Sequence, residues 1–280
     1  MSWGRTFIYA LLALWSLVCI FPFYWVAITA FKSVDNIDGP PAYLPFVDYL
    51  PSLDAWRFIL LDTNENLILR FVNSAVAGLI STVLALVIGG MAVYGVTRFW
   101  PSNGYRLMTL MLATRILPPA LVVLPLYLMA QVTGMLDTLT ALVLTYVAVN
   151  LPVAVWLLQP VLGLRASDQE EAAQIDGASH LTIFFTIVVP MARAGVAAAG
   201  LLIFLLCWNE YLFAAYLTSG HALTLPPWMV GQLSLKEAQI GGEAEEWAHL
   251  SAALLVMAFP VLIFVVFVQR HLGRSVAVRS

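Results

Sequence analysis

Apolar runs long enough to cross a bilayer recur from one end of this chain to the other, at about 7–31, 67–97, 107–131, 138–163, 191–217 and 247–269. The hydrocarbon layer offers backbone amides no water to bond, so such runs must become helices or close into a barrel. The alternating segments of ~10 residues that mark barrel strands do not recur here. The sequence therefore predicts an all-α integral membrane protein with six transmembrane helices. The charge content agrees: 13 basic and 16 acidic residues among 280, where soluble domains carry about a quarter charged residues. Mean hydropathy is +0.89. The first run is longer than the apolar core of a signal peptide and lacks a clear small-x-small cleavage site, so it is expected to remain as a span.

The basic residues set the expected orientation. With the N-terminus in the cytoplasm, Arg5, Arg98, Arg106, Arg165, Arg193, Arg270, Arg274 and Arg279 fall on the cytoplasmic side. Lys32, Arg57, Arg70 and Lys236 fall outside, together with most of the acidic residues. This asymmetry satisfies the positive-inside rule and places both termini in the cytoplasm. The outer connections are then 32–66, rich in proline and acid, and about 218–246, which carries Pro226-Pro227 and the run "GGEAEEW". Cys19 and Cys207 both lie inside spans, where a thiol is a small packing residue; no metal or disulfide spacing accompanies them. Small residues such as Gly89, Gly90, Gly195 and Gly200 serve close helix packing. Span three differs, because "RILPPALVVLP" sets Pro118, Pro119 and Pro125 inside one apolar run. A helix broken there needs protein or a watery cavity to satisfy its freed carbonyls.

One short cytoplasmic stretch is unusually acidic for so apolar a chain: "SDQEEAAQIDGASHLTIFFTIVVP", residues 167–190. Ser167 and Glu170 are spaced as a capping box, and Asp168, Glu170 and Glu171 crowd the positive end of the helix that would follow. Gly177 is placed to end that helix in a left-handed turn. Ala172 and Ala173 leave one side nearly bare, so another surface can come close. The residues alone read as a two-turn helix presented to the cytoplasm, or as a solvated loop with favourable caps.

A resemblance carried by this stretch decides between them. It reads Glu-Ala-Ala, three residues, Gly, nine residues, then Ile-x-Leu-Pro with Val189 in the leucine place. This resembles the signature (EAA) loop of the membrane subunits of bacterial ABC-type importers. "NSAVAGLISTVLALVIGGMAVYGVTRF" at 73–99, "ILPPALVVLPLY" at 116–127, "WNEYLFA" at 208–214, "LTLP" at 223–226 and "VQRHL" at 268–272 look like the second permease of sugar importers of the maltose/trehalose type. The resemblance covers about 67–272 and departs at the C-terminus, where "GRSVAVRS" replaces the family's glycine-rich tail.

The resemblance implies a type I ABC importer permease with a cytoplasmic coupling helix. Its parts would be a first helix and outer loop at 1–66, a core permease domain at 67–272 with the coupling loop at 164–190, and a tail at 273–280. It also implies that Glu170, Glu171, Ala172, Ala173, Asp176, Gly177 and Ala178 contact an ATPase subunit. The implied partners are a second permease, an ATPase dimer, an extracytoplasmic solute-binding protein, membrane lipid and a sugar-like substrate; no nucleic acid is expected. The chain contains no Gly-x-x-x-x-Gly-Lys-Ser/Thr loop, so no cofactor is expected on it, ATP and Mg being held by the ATPase.

Polar side chains inside spans are functional hypotheses by default. Here they are Arg115, Gln131, Asn150, Asn209 and Glu210. By resemblance, Asn209 and Glu210 lie on the stretch that lines the translocation cavity, with Trp208 and Tyr211 as rings to pack on a sugar. Glu210 has a second reading, as a residue that pairs with a cation or fixes the partner permease. Asn150 and Arg115 are further pathway candidates, and Arg115 is alternatively placed to cap the broken backbone of span three. The four histidines have no metal-ligand spacing. An intramembrane enzyme would need paired acids, a Ser/His pair or a zinc site, and none is evident. A stand-alone ion-coupled carrier would show paired broken helices in inverted repeats, whereas the sequence visibly breaks span three alone.

Overall fold

The computed structural model describes residues 3–61, 66–163, 168–236 and 247–263. Among them the regular structure is helical, with one isolated bridge between Pro45 and Tyr49. The chain divides into two compact units, one made of Met1–Leu69 with Trp228–Ser280 and the other of Arg70–Pro227.

The first unit opens with α1 (Trp3–Thr29), an apolar helix long enough to cross a membrane and exposed along most of its length. A short α2 (Val34–Asp38) and α3 (Asp54–Leu61) follow. Between these two, the Asp48 carboxylate accepts from the amides of Tyr43 and Leu44 at 2.8 and 2.9 Å. Those amides hold its pKa below the ordinary carboxylate value. The Tyr49 hydroxyl donates to the Ile28 carbonyl at 3.1 Å, and Ile28, Ala42 and Tyr49 form a small core.

The second unit takes in most of α4 (Leu67–Phe99), then α5 (Pro101–Ala113), α6 (Pro119–Val132) and α7 (Leu139–Leu162). Then come α8 (Asp168–Ile175), α9 (His180–Ile183), a π-helical turn at Phe184–Val188, α10 (Val189–Met191), α11 (Arg193–Trp208) and α12 (Leu212–Leu217). Its core lies along α7, where Leu142, Tyr146, Ala154 and Leu158 are buried with Ile203 and Cys207 of α11 and Phe184. Small residues set the helix spacing: a Cβ on Gly195 of α11 would come within 2.5 Å of Val161 Cγ1 on α7. Helix α13 (Leu225–Lys236) continues the chain, and α14 (Trp247–Ile263) belongs to the first unit, where His249 stacks on Phe58 of α3 at 4.0 Å.

The spans differ from the sequence expectation in an informative way. Helices α1, α4 and α7 are each long and apolar enough to cross a membrane alone. The expected span at 107–131 is two helices, Gly104–Ile116 and Pro119–Val132, meeting at 90°. A residue before proline is driven out of the helical region, and Leu117 and Pro118 are extended with ψ of 127° and 131°. Pro119 then starts α6, a position where its missing amide is harmless.

The expected span at 191–217 requires a larger correction. Its apolar helix begins back at His180, inside the stretch read as loop, and bends by 88° between Met191 and Arg193. Ser179 caps that earlier start, accepting from the Thr182 amide at 3.2 Å. Pro190, which offers no amide, adjoins the π turn and the bend. At the other end α11 stops at Trp208, and α12 restarts only at Leu212. The described part of the sixth run is the shorter apolar helix α14. Residues 264–280, with "VQRHL", the tail and its arginines, lie outside the described residues, as do Arg165, Ser167 and the acidic run at 237–246.

Candidate functional site: an anchored acidic helix and a polar chain in the bundle

Helix α8 has the two turns expected of it. Its end is closed by a Schellman motif: the Ala178 amide donates to the Ala173 carbonyl at 2.9 Å, and the Gly177 amide to the Gln174 carbonyl at 3.0 Å. Gly177 has φ +84°, in the left-handed region. A Cβ there would meet nothing within 4 Å, so the backbone angle alone demands glycine. The predicted cap Ser167 lies outside the described residues.

Glu170 does not stand with the exposed face. Its carboxylate is buried and takes a two-pronged contact from Arg98 at the end of α4, Nε to Oε2 at 3.1 Å and Nη2 to Oε1 at 2.9 Å. The Arg98 guanidinium also lies over the Tyr94 ring at 5.3 Å. Tyr94 reaches onward, its hydroxyl 3.4 Å from His180 Nδ1, and Phe99 meets the His180 ring edge-on at 4.9 Å. One end of α4 thus grips both α8 and α9. Ala173 and Ala178 pack against the core cluster holding Ile183 and Phe184. Asp168, Gln169, Glu171, Ala172, Asp176 and Gly177 remain exposed. So do three apolar side chains on the same stretch: Ile175 at 86%, Leu181 at 58% and Phe185 at 49%. An acidic, partly apolar ridge on a rigid mount is suited to seating in another protein's cleft.

The second constellation lies inside the bundle. Arg115, in a single 3-10 turn before the break of the bent α5–α6 pair, donates from Nη2 to Asn150 Oδ1 at 2.7 Å. Asn150, buried midway along α7, donates in turn to Cys207 Sγ of α11 at 3.3 Å. Two sequence candidates thirty-five positions apart are therefore joined directly, and the chain runs on to a cysteine read from sequence only as packing. Among the described residues the hydrogen bond of the guanidinium goes to Asn150, and none goes to a backbone carbonyl.

Asn209 and Glu210 sit in the break between α11 and α12. Asn209 is exposed, and its amide donates back to the Leu205 carbonyl at 2.9 Å. Glu210 accepts from the amides of Phe213 and Ala214 at 3.0 and 3.1 Å, closing the start of α12. This is a structural duty the sequence reading did not foresee. Trp208 is 1% exposed and packed against Phe71 and Phe204, so it offers no face to a sugar. Tyr211 and Gln131 are exposed.

Asp137 was not singled out from sequence. It adopts φ +56° between α6 and α7, and its carboxylate accepts from the amides of Ser219, Gly220, His221 and Ala222 at 2.9–3.2 Å. Burial tends to raise its pKa, but the four amides outweigh it and the net shift is downward. Arg70 donates to the Gly220 carbonyl, Asn73 to the His221 and Leu223 carbonyls, and Ser74 accepts from the Leu225 amide. The segment 218–225, which takes in the first three residues of "LTLP", is therefore held in one shape. A lone aspartate before the Thr138 helix cap is a turn signal; that it binds a segment some eighty residues away has no local signature.

Helices long and apolar enough to span a bilayer, two bent span pairs and a mounted acidic helix are the arrangement of a multi-span membrane protein with a polar surface presented beside the spans. Residues 98–278 match the family described as the binding-protein-dependent transport system inner membrane component, and the chain belongs to that family. The diacetylchitobiose uptake system permease protein NgcG of Streptomyces coelicolor is 33% identical, over 96% of this chain and 86% of its own. The trehalose/maltose transport system permease protein MalG of Thermococcus litoralis is 28% identical, over 92% of this chain and 90% of its own. Among solved structures, a chain of a bacterial ABC transporter that imports the acidic polysaccharide alginate superposes with a TM-score of 0.77 at 19% identity, covering 96% of this chain and 98% of that one. That likeness shows the fold, an ABC importer permease fold.

Proposed function

We infer that this chain is the permease subunit of an ATP-driven importer that carries a carbohydrate across the inner membrane. Membership of the family and kinship with sugar permeases support the class. The observation that carries the mechanism is α8, a capped acidic helix with exposed apolar side chains, tied through Glu170 and Arg98 to the end of a 33-residue span. In this reading α8 is the coupling helix, seated in a cleft of an ATPase subunit. Glu171, Ala172, Asp176 and Gly177 face that subunit, with Ala173 and Ala178 as the buried footing. Glu170 belongs to the mount. When the ATPase closes, α8 is displaced, and the buried ion pair passes the displacement to α4.

The assembly that completes the pathway comprises a second permease, an ATPase dimer that binds ATP and Mg, and an extracytoplasmic solute-binding protein. Six spans is the reading in which each bent pair crosses once and the sixth apolar run of the sequence, about 247–269, crosses as well, with 67–272 as the permease core. Both termini are then cytoplasmic, as the arginine distribution requires. An importer for a non-sugar solute is the alternative that the same fold serves.

The expected biochemical result is that this chain, purified alone, hydrolyses no ATP and acquires a role only beside an ATPase. A cysteine at Ile175 should form a cross-link to the ATPase subunit in assembled membranes, sensitive to nucleotide. Hydrolysis by the single pure chain, or no cross-link from this exposed position of the helix, contradicts the reading.

The Arg115–Asn150–Cys207 chain is the proposed pathway element, with Asn209 as an exposed hydroxyl-binding amide and Glu210 holding the break open. Losing a hydrogen bond to a charged group costs ~1.5–3 kcal/mol. Asn150→Leu is therefore expected to lower uptake roughly tenfold or more, at unchanged membrane abundance and unchanged binding of the ATPase. Wild-type uptake in Asn150→Leu and Arg115→Met alike removes this chain from the pathway. Glu210→Ala is expected to lower uptake through loss of the α12 cap, and Asn209→Ala through loss of a ligand contact.

A further inference from the structure

Within the first unit, a cleft of about 430 Å³ lies between the last turns of α1 and one face of α14, closed over by the segment 36–43. Its lining is of two chemical kinds. The polar part includes Lys32 and Thr29, exposed by only 4% and 5%. The Thr29 hydroxyl has no hydrogen-bond partner. The Lys32 ammonium stands 4.9 Å from the Trp25 ring and 5.5 Å from the Tyr49 ring. Among the described residues no carboxylate comes within salt-bridge distance of it. Its nearest charge, Asp48, is already committed to the amides of Tyr43 and Leu44. Burial pushes the Lys32 pKa down against the pull of Asp48, the sign of a cation short of a counter-charge.

The rest of the lining is mostly apolar. Trp247, Leu250, Ser251 and Leu254 recur at spacings of three and four along α14 and line the cleft together with Val26 of α1. Trp25, Tyr43 and Trp247 also line it, and such rings sit at the level of lipid headgroups. A free sugar would leave the apolar lining unused, and a small inorganic anion likewise. An amphiphile whose anion meets the lysine and whose chain runs between two apolar helices uses both. Basic pockets between membrane helices bind lipid headgroups on the same grounds.

We propose that this cleft seats a bilayer phospholipid, its phosphodiester on Lys32 Nζ and the Thr29 hydroxyl and its upper acyl methylenes along Val26, Leu250 and Leu254. The lipid supplies an anion where no described carboxylate reaches the ammonium, and it bridges α1 to α14. The seat requires only that α1 end at a membrane interface, whichever leaflet that is.

The test is native mass spectrometry of the assembled importer, extracted from membranes and from nanodiscs of phosphatidylglycerol or phosphatidylethanolamine. Wild type and Lys32→Arg are expected to retain one more phospholipid per complex than Lys32→Ala and than Leu254→Trp, which adds bulk to the apolar lining. Retention in both nanodisc types assigns the phosphodiester as the recognised group, and retention from phosphatidylglycerol alone assigns net negative charge. Added inorganic phosphate is expected not to displace the lipid. Equal lipid retention in all four proteins overturns the proposal, as does full displacement by inorganic phosphate. A photo-reactive residue at Trp25 that captures another protein subunit in place of lipid overturns it equally. Should Lys32→Ala fail to accumulate, Leu254→Trp carries the comparison.

Discussion

Glu170→Ala is expected to lower the thermal stability of the assembled importer sharply and to loosen α8 from the bundle. Both partners of the pair are largely buried, their side chains 6% and 11% exposed, so the change strands the Arg98 guanidinium without its carboxylate. Breaking a buried pair from one side costs ~3–5 kcal/mol, mostly because a charge is left behind. Replacing both members by apolar residues avoids that term. Arg98→Met combined with Glu170→Met is therefore expected to fold better than Glu170→Ala alone. It should nonetheless transport less well, because a directional two-pronged contact has been exchanged for slippery packing. Melting temperature and uptake measured on the three proteins separate the two roles. Equal stability of Glu170→Ala and wild type would show that the pair is idle; full uptake by the double variant would show that it carries no motion.

Gly177→Val is expected to abolish most sugar uptake while leaving the protein in the membrane at normal abundance. The position has φ +84°, where a β-branched side chain is a strong outlier. Left-handed backbone costs an L-residue about 1–2 kcal/mol, and the strain falls on the turn that fixes the end of α8. The spans are far longer than this turn and insert regardless. Because a Cβ meets no atom within 4 Å, the defect is one of backbone angle and not of crowding. Gly177→Asn should accordingly keep much of the activity, since asparagine tolerates this region. The readout is the ratio of uptake to ATP hydrolysis in reconstituted vesicles. A valine variant with the wild-type ratio would separate this turn from coupling.

What the sequence made legible follows a physical pattern. Runs of apolar residues declare spans because the bilayer leaves them little choice, and Pro118-Pro119 declared a break because proline acts on its immediate neighbour. The end of α8 was legible for the same local reason, since only the glycine at 177 reaches positive φ freely. The bend near Ala192 escaped notice: no proline pair marks it, and an alanine-rich helix looks continuous. The Arg98–Glu170 pair was invisible because nothing in "GVTRF" says which carboxylate, seventy-two residues on, its arginine will meet. Asp137 was missed for the same reason. Asn150 and Arg115 were found as polar residues where polarity is expensive, but their direct bond depends on how the turn before α6 meets α7, and the onward link to Cys207 on how α7 and α11 pack. Glu210 shows the converse: its bonds to the Phe213 and Ala214 amides are local, yet the sequence was read only for a role in the pathway, in pairing with a cation or in fixing the partner permease.

The most direct test is uptake into proteoliposomes holding the second permease, the ATPase and the solute-binding protein, with and without this chain. The account predicts ATP-dependent accumulation of a labelled carbohydrate when the chain is present and none when it is omitted. Accumulation that persists without the chain, or a complete complex that moves only non-carbohydrate solutes, contradicts it.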